Sequence, residues 1–286
     1  MASTPASDTP PLSATDTVPP RVGLSEGDGS DDAGNMAPQR TLILHYHLFK
    51  NAGTSIDVML KHNFGSKWIS HEFHGSGNFS NSHEVASFLR QQGEICALSS
   101  HTALLPVPRL EGVHIVPVIF LRHPIDRLKS AYLFERSQDS AEWSAQVAKR
   151  NDLAGYIREL LDHKRHRSAR NFQTLRLSLN EEPSAGSERE RAMRTLRALP
   201  FVGLVEAFPR SVNRLCKILA PYFPQFLKII VHENTSRPTE TTLDDRLVEI
   251  EDELGPDLFE RLRLANEDDL LMFDTVRRLY SDETNL

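Results

Sequence analysis

The sequence predicts an α/β fold with a central parallel sheet covered by helices on both faces, and three observations carry that expectation. From Thr41 onward, strand-like and helix-like stretches alternate. The strand-like runs are short and almost continuously apolar, as in TLILHYHLF (41–49) and HIVPVIFL (114–121), which is how strands buried on both faces read. The chain has 286 residues, enough for one large α/β domain or two small ones.

Residues 1–38 are rich in Pro, Ser, Thr, Asp and Gly and have no hydrophobic period, so they read as a disordered tail. The first strand follows at 41–49. KNAGTS is then a turn, and IDVMLKHNF (56–64) places Ile56, Met59, Leu60 and Phe64 on one helical face. Further strands are expected at 67–70, 95–99, 114–121, 201–205 and 228–231. Helices are expected at 83–92, 125–137, 152–162, 187–198 and 208–220, and 242–280 reads as helical and polar. Such alternation calls for right-handed crossovers around a parallel sheet.

Composition removes several classes of function. No run approaches the ~20 apolar residues of a membrane span, so no membrane span is expected. Two cysteines, Cys96 and Cys216, are too few for a disulfide framework or a four-thiolate zinc site. A reducing, cytoplasmic setting is expected, since the N-terminus has neither the basic nor the apolar region of a secretory signal. The net charge of −6 is unevenly spread. Residues 121–217 carry 19 Lys and Arg against 12 Asp and Glu, a balance of +7, so an anionic ligand is expected in that middle third.

The most informative segment is HLFKNAGTSI, residues 47–56, where a strand runs through Lys and Gly into a helix starting Thr-Ser. A helix N-terminus presents unpaired N–H groups and partial positive charge. With Lys50 beside it, Asn51, Ala52, Gly53, Thr54 and Ser55 form a possible phosphate cradle. The bland alternative is an ordinary turn in which Thr54 is an N-cap and Lys50 is solvated. The loop does not match G-x-x-x-x-G-K-[ST], because Lys50 precedes Gly53 and no second Gly lies upstream. Nor does an apolar strand ending in Asp offer a Mg²⁺ ligand. A nucleotide kinase therefore stays only as an alternative, beside a non-catalytic nucleotide-binding module.

Lys-x-x-Gly-Thr-Ser after the first strand resembles the 5′-phosphosulfate loop of sulfotransferases that use 3′-phosphoadenosine 5′-phosphosulfate (PAPS). FLRHPIDRLKSAY (120–132), at the end of the 114–121 strand, resembles the family's second element, in which an Arg and a Ser eight residues later bind the 3′-phosphate. The matching positions are Arg122 and Ser130. NFQTLRL (171–177), FVGLVEAFPRSVNRL (201–215) and ENTSRP (233–238) resemble later blocks of the carbohydrate branch, which includes heparan sulfate 2-O-sulfotransferases. The resemblance covers residues 41–280. It implies a three-layer P-loop-like fold in one sulfotransferase domain over 39–286, and a soluble, bacterial-type member, because Golgi members carry a membrane anchor where this chain has its tail.

The resemblance further implies sulfuryl transfer from PAPS to a hydroxyl of an acceptor by in-line displacement, with 3′,5′-phosphoadenosine (PAP) as product. The acceptor would be an oligosaccharide or glycan. Lys50 would meet charge developing on the leaving phosphate oxygen, and Arg237 would approach the 3′-phosphate. The base would be a His. His101, after the 95–99 strand, falls at the carboxyl edge of the sheet, where open α/β folds bind ligands, and the family places its catalytic His in a similar block.

Other histidines read as structural. His45 and His47 share one strand face, His71-Glu72-Phe73-His74 is one residue short of H-E-x-x-H, and no metal is expected. In the basic run 163–176, Arg165, Arg167, Arg170 and Arg176 are candidates to hold carboxylate or sulfate groups of an anionic glycan. The alternative is a solvated face, with some Arg paired to Glu181 and Glu182. The sequence pI of about 6.1 and the lack of interleaved aromatics argue against nucleic acid.

Overall fold

Where hydrophobic residues alternate along a strand, each neighbour faces the opposite side of the sheet, and the first strand, β1 (Arg40–Tyr46), follows this rule. Its Leu42, Leu44 and Tyr46 join one apolar cluster, while Ile43 joins another. In a computed structural model that describes residues 40–74, 80–229 and 241–282, β1 lies at the centre of five parallel strands. The others are β2 (Trp68–Ser70), β3 (Ala97–Ser100), β4 (Val113–Leu121) and β5 (Gly203–Leu204), in the order β2-β3-β1-β4-β5. Register is set by pairs such as Leu44 with Leu98 and Leu44 with Pro117.

Helices cover both faces. On the Ile43 side, α1 (Gly53–Phe64) packs through Ile56, Met59 and Leu60 beside Val212, Leu215 and Leu219 of α8 (Phe208–Leu219). The Leu42 side is covered by α2 (Ser82–Gln91), α7 (Glu188–Ala198) and α11 (Glu267–Asp282). A third apolar cluster is helical except for Ala169. It joins α3 (Pro124–Ser137), α4 (Trp143–Arg150), α5 (Leu153–Asp162), α9 (Leu243–Leu254) and α10 (Pro256–Ala265). The remaining helix, α6, is the short Phe172–Ser178. No helix among the described residues is long and apolar enough to cross a membrane.

Most expected elements form near their expected bounds, with one refinement and two corrections. The segment 242–280, expected to be helical, divides into three helices. Gly255, at φ 74°, and Pro256 divide α9 from α10, and buried Asn266 divides α10 from α11. Lys228 and Ile229 form no strand, and the rest of the expected 228–231 strand lies outside the described residues. Helices α4 and α6 were not expected. The tail 1–38, Arg237 and most of ENTSRP's surroundings, 230–240, also lie outside the described residues.

The strand order positions the site. After β1 the chain leaves toward β2, and after β4 it leaves toward β5 on the other side. The carboxyl ends of β1 and β4 are adjacent, so the two loops that follow them part across a crevice, which is where open α/β sheets accept ligands.

Candidate active site

The loop after β1 is held in a conformation that side chains resist. Lys50 and Ala52 both take left-handed backbone angles, φ 63° and 59°, at a cost of about 1–2 kcal/mol each. Asn51 between them is buried, and its Nδ2 donates to the Phe120 carbonyl at 2.7 Å and to Gln173 Oε1 at 2.8 Å. Asn51 thus anchors the loop from inside, and its own amide is engaged by the Leu48 carbonyl. Ala52 is the N-cap of α1 and supplies no side-chain cap, so Thr54 is not the cap that the bland reading assigned. Ser55 N and Ile56 N turn back to the Ala52 carbonyl. Among the described residues, the amides of Ala52, Gly53 and Thr54 have no hydrogen-bond partner, and they gather at the positive end of the α1 dipole.

Two cations meet at this loop. The Arg122 guanidinium, just beyond β4, donates from Nη1 to the Lys50 carbonyl at 3.1 Å. Its Nε and Nη2 hold Asp126 Oδ2 at 2.8 and 2.6 Å. Three of its five N–H groups are engaged, which leaves two. Burial acts to raise the Asp126 pKa, but Arg122 and Arg246, the latter 2.9 Å from Oδ1, outweigh it and hold the carboxyl below its ordinary value. The Lys50 ammonium sits 4.3 Å from the Phe134 ring centroid, and half-burial together with Arg122 lowers its pKa. Ser130 lies eight residues after Arg122 on α3, half-buried, with no hydrogen-bond partner among the described residues.

Beside the loop stands a column of three imidazoles from the ends of β1 and β3. His101 stacks on His47 at 3.8 Å between centroids, and His47 lies 5.3 Å from His45. Asp57, on α1, accepts from His45 Nδ1 at 2.9 Å and from His47 Nδ1 at 3.0 Å. Those bonds outweigh its burial and keep it ionised well below the usual carboxylate range. Burial lowers the pKa of His45 despite Asp57, so that ring is neutral at physiological pH. The edge of His47 reaches the start of α1, where an ideal Cβ at Gly53 would lie 1.9 Å from its Cδ2. The need for glycine at 53 is therefore steric. His101 itself is half-exposed, and its Nδ1 lies 2.8 Å from Glu72 Oε1.

An uncharacterized protein of Archaeoglobus fulgidus is 34% identical over 250 residues, 85% of this chain and 98% of the archaeal one. The chain belongs to the family of that archaeal protein. No protein-family model matches it.

In this member of the family the basic run 163–176 is mostly engaged within the protein. Arg167 pairs with Glu188 at 2.7 Å, Arg170 donates to the carbonyls of His163 and His166, and Arg176 is half-buried with its guanidinium 5.4 Å from the Phe172 ring centroid. Glu181, expected to neutralise this run, is paired instead with Arg194 of α7. Lys164 and Arg165 are exposed, with no hydrogen-bond or ion-pair partner among the described residues. Nearby Trp143 is partly exposed and lies 4.6 Å from the His163 ring.

Several residues of the site escaped the sequence reading. Gln173 accepts from Arg122 N at 2.9 Å and donates to the Arg122 carbonyl at 2.9 Å, so it clasps the strand end that carries the guanidinium. Buried Asp269 of α11 accepts from the amides of Gln173 and Thr174 and orients that helix start. Glu206 accepts from His123 N at 2.8 Å. The carboxylates Asp57, Glu72 and Asp126 organise the cations and imidazoles. Asp126 had a visible signal, its i,i+4 spacing from Arg122. His45, His47 and Asp57 offer atoms within 4.8 Å of one another and could hold a metal ion. Their facing nitrogens and oxygens already satisfy one another by hydrogen bonds.

Proposed function

We propose that the protein is a sulfotransferase that carries the sulfuryl group of PAPS to a hydroxyl of an acceptor. One observation carries the reading: Lys50 and Arg122, from the ends of two adjacent strands, converge on one loop, where Arg122 Nη1 meets the Lys50 carbonyl at 3.1 Å. A nucleotide phosphorylated at both ends needs two such cations within its own length. The unpartnered amides of Ala52, Gly53 and Thr54, the two remaining Arg122 N–H groups and the Ser130 hydroxyl fit two anionic groups. The strand order around β1, with an anion loop directly after it, supports a P-loop-like fold.

When bound, PAPS supplies a sulfuryl group already activated on a phosphate oxygen. His101 takes the acceptor hydroxyl proton at Nε2 as the oxygen forms its bond to sulfur in line with the breaking S–O bond. Lys50 and the loop amides stabilise the charge that remains on the phosphate. A carbohydrate acceptor is supported by Lys164 and Arg165 beside the partly exposed Trp143, a pairing of cations and an aromatic face suited to an anionic sugar. Free Cys96 and Cys216 suit a reducing compartment, and we place the enzyme in the cytoplasm.

Calorimetry with PAP and with ATP–Mg²⁺, followed by transfer of labelled sulfate to a panel of glycans, tests the reading. Saturable PAP binding and transfer that disappears in His101→Ala are expected. Tight ATP–Mg²⁺ binding without PAP affinity would make the protein a nucleotide kinase, and PAP binding without turnover on any acceptor would make it a binding module.

A further inference from the structure

Glu72 lies just past β2, and His101 just past β3. The two strands pair in parallel with Ser70 opposite Ser99, so two more residues along that register bring residue 72 level with residue 101. There the Glu72 carboxylate collects a set of donors. Oε1 meets His101 Nδ1 at 2.8 Å, and Oε2 accepts from Thr102 N at 3.0 Å, Thr102 Oγ1 at 2.8 Å and Ser100 Oγ at 3.2 Å. The His101 amide donates to the same carboxylate at 3.0 Å. This many bonds is more than a half-exposed carboxylate needs to stay soluble, and together they fix its position.

We propose that Glu72 is a positioning residue that sets the tautomer and the aim of His101. The inference rests on His101 being the base of the proposed transfer. An ionised carboxylate is only an acceptor, so the proton between the two groups belongs to Nδ1, and the Nε2 lone pair is left to face outward. An unrestrained histidine side chain has the opposite preference and mostly carries its proton on Nε2, where it could not accept one from a hydroxyl. Glu72 grips the ring at its edge. His47, stacked at 3.8 Å with 28° between planes, supports its face. With edge and face both held, the ring has one orientation, which is what a base acting on a bound hydroxyl requires.

The test measures two quantities on Glu72→Ala and Glu72→Gln in the full chain. Nitrogen-15 NMR of His101 reads the tautomer without any turnover: Nδ1–H is expected in the parent protein and Nε2–H in Glu72→Ala. Kinetics should show kcat lower by roughly 10²-fold in Glu72→Ala, between the loss typical of an orienting partner and that of a wrong tautomer. KM for PAPS should stay within about twofold, because Glu72 touches no part of the anion loop. Glu72→Gln keeps one acceptor oxygen and should fall between the two. Nδ1–H persisting in Glu72→Ala, or kcat within about twofold of the parent, overturns the proposal. A tautomer that flips as expected in a protein that transfers no sulfate would uphold the clamp and overturn the sulfotransferase reading.

Discussion

The loop 50–55 and the run 163–176 differ in a way that charge counting hides. The loop has one cation, Lys50, and borrows a second, Arg122, from 72 residues away. The run has five, yet three of its guanidiniums are engaged by Glu188, by main-chain carbonyls or by the Phe172 ring. The middle third of the sequence was expected to hold the anion site, and the region rich in base uses much of that charge to close its own turns. What marks a site is donors left without partners, and those gather at the α1 N-terminus, where the sequence is nearly neutral.

The sharpest way to break this comparison is to remove charge from each region in turn. Lys50→Ala should lower sulfate transfer by roughly 10²–10³-fold. Arg167→Ala and Arg170→Ala should leave it within about twofold and lower stability by at most about 1 kcal/mol, as for partly exposed pairs. Equal losses in both regions, read as kcat/KM with labelled PAPS, would erase the distinction.

A second test uses polar atoms buried beside Arg122. Burial raises the pKa of Glu206 from its ordinary value near 4.5 to about 7, and its Oε2 has no hydrogen-bond partner. Between those two values the folded protein keeps a proton that the unfolded chain has already released. Stability from this group therefore declines as pH rises through that window, by on the order of 3 kcal/mol in full. His123, taken down to about 4 by burial, has the opposite sign. It is present in parent and variant alike, so the difference between them isolates Glu206. Glu206→Gln should gain on the parent as pH rises from about 4.5 to about 7 and then hold level, measured by denaturant unfolding at each pH. A constant difference would show that the carboxyl is not shielded as the structure indicates.

The smallest expected effect concerns the strained loop itself. Ala52→Gly removes the left-handed penalty and should stabilise the protein by about 1 kcal/mol, which is about 2–4 °C in Tm. No gain in calorimetry would mean that the loop relaxes when nothing is bound.

Much of the fold was legible because buried parallel strands and amphipathic helices write their periods into the chain, as in HIVPVIFL for β4 and the apolar spacing of α8. Helix α6 was not, because its buried face is Gln173, Thr174, Leu177 and Ser178, and a polar face held by Asp269 has no hydrophobic period. Helix α4 buries only Ala145, Val147 and Ala148 and left an equally faint trace. The Gly255-Pro256 break inside 242–280 is written plainly in the chain. Of the candidate site residues, Lys50 stood out by its place before a helix start, and Arg122 and His101 by the resemblance and their places after strands. Glu72 and Asp57 did not, because they reach their partners through strand pairing and helix packing, which no local window contains.

The notch between His47 and Gly53 has a genealogical consequence. Because the imidazole edge already fills the space of a methyl group at 53, a side chain can enter there only if the ring at 47 shifts or shrinks, whereas a smaller residue at 47 leaves Gly53 undisturbed. A relative that carries a side chain at 53 is therefore expected to differ at 47 as well, and with it to have a different neighbour for the histidine that follows the third strand.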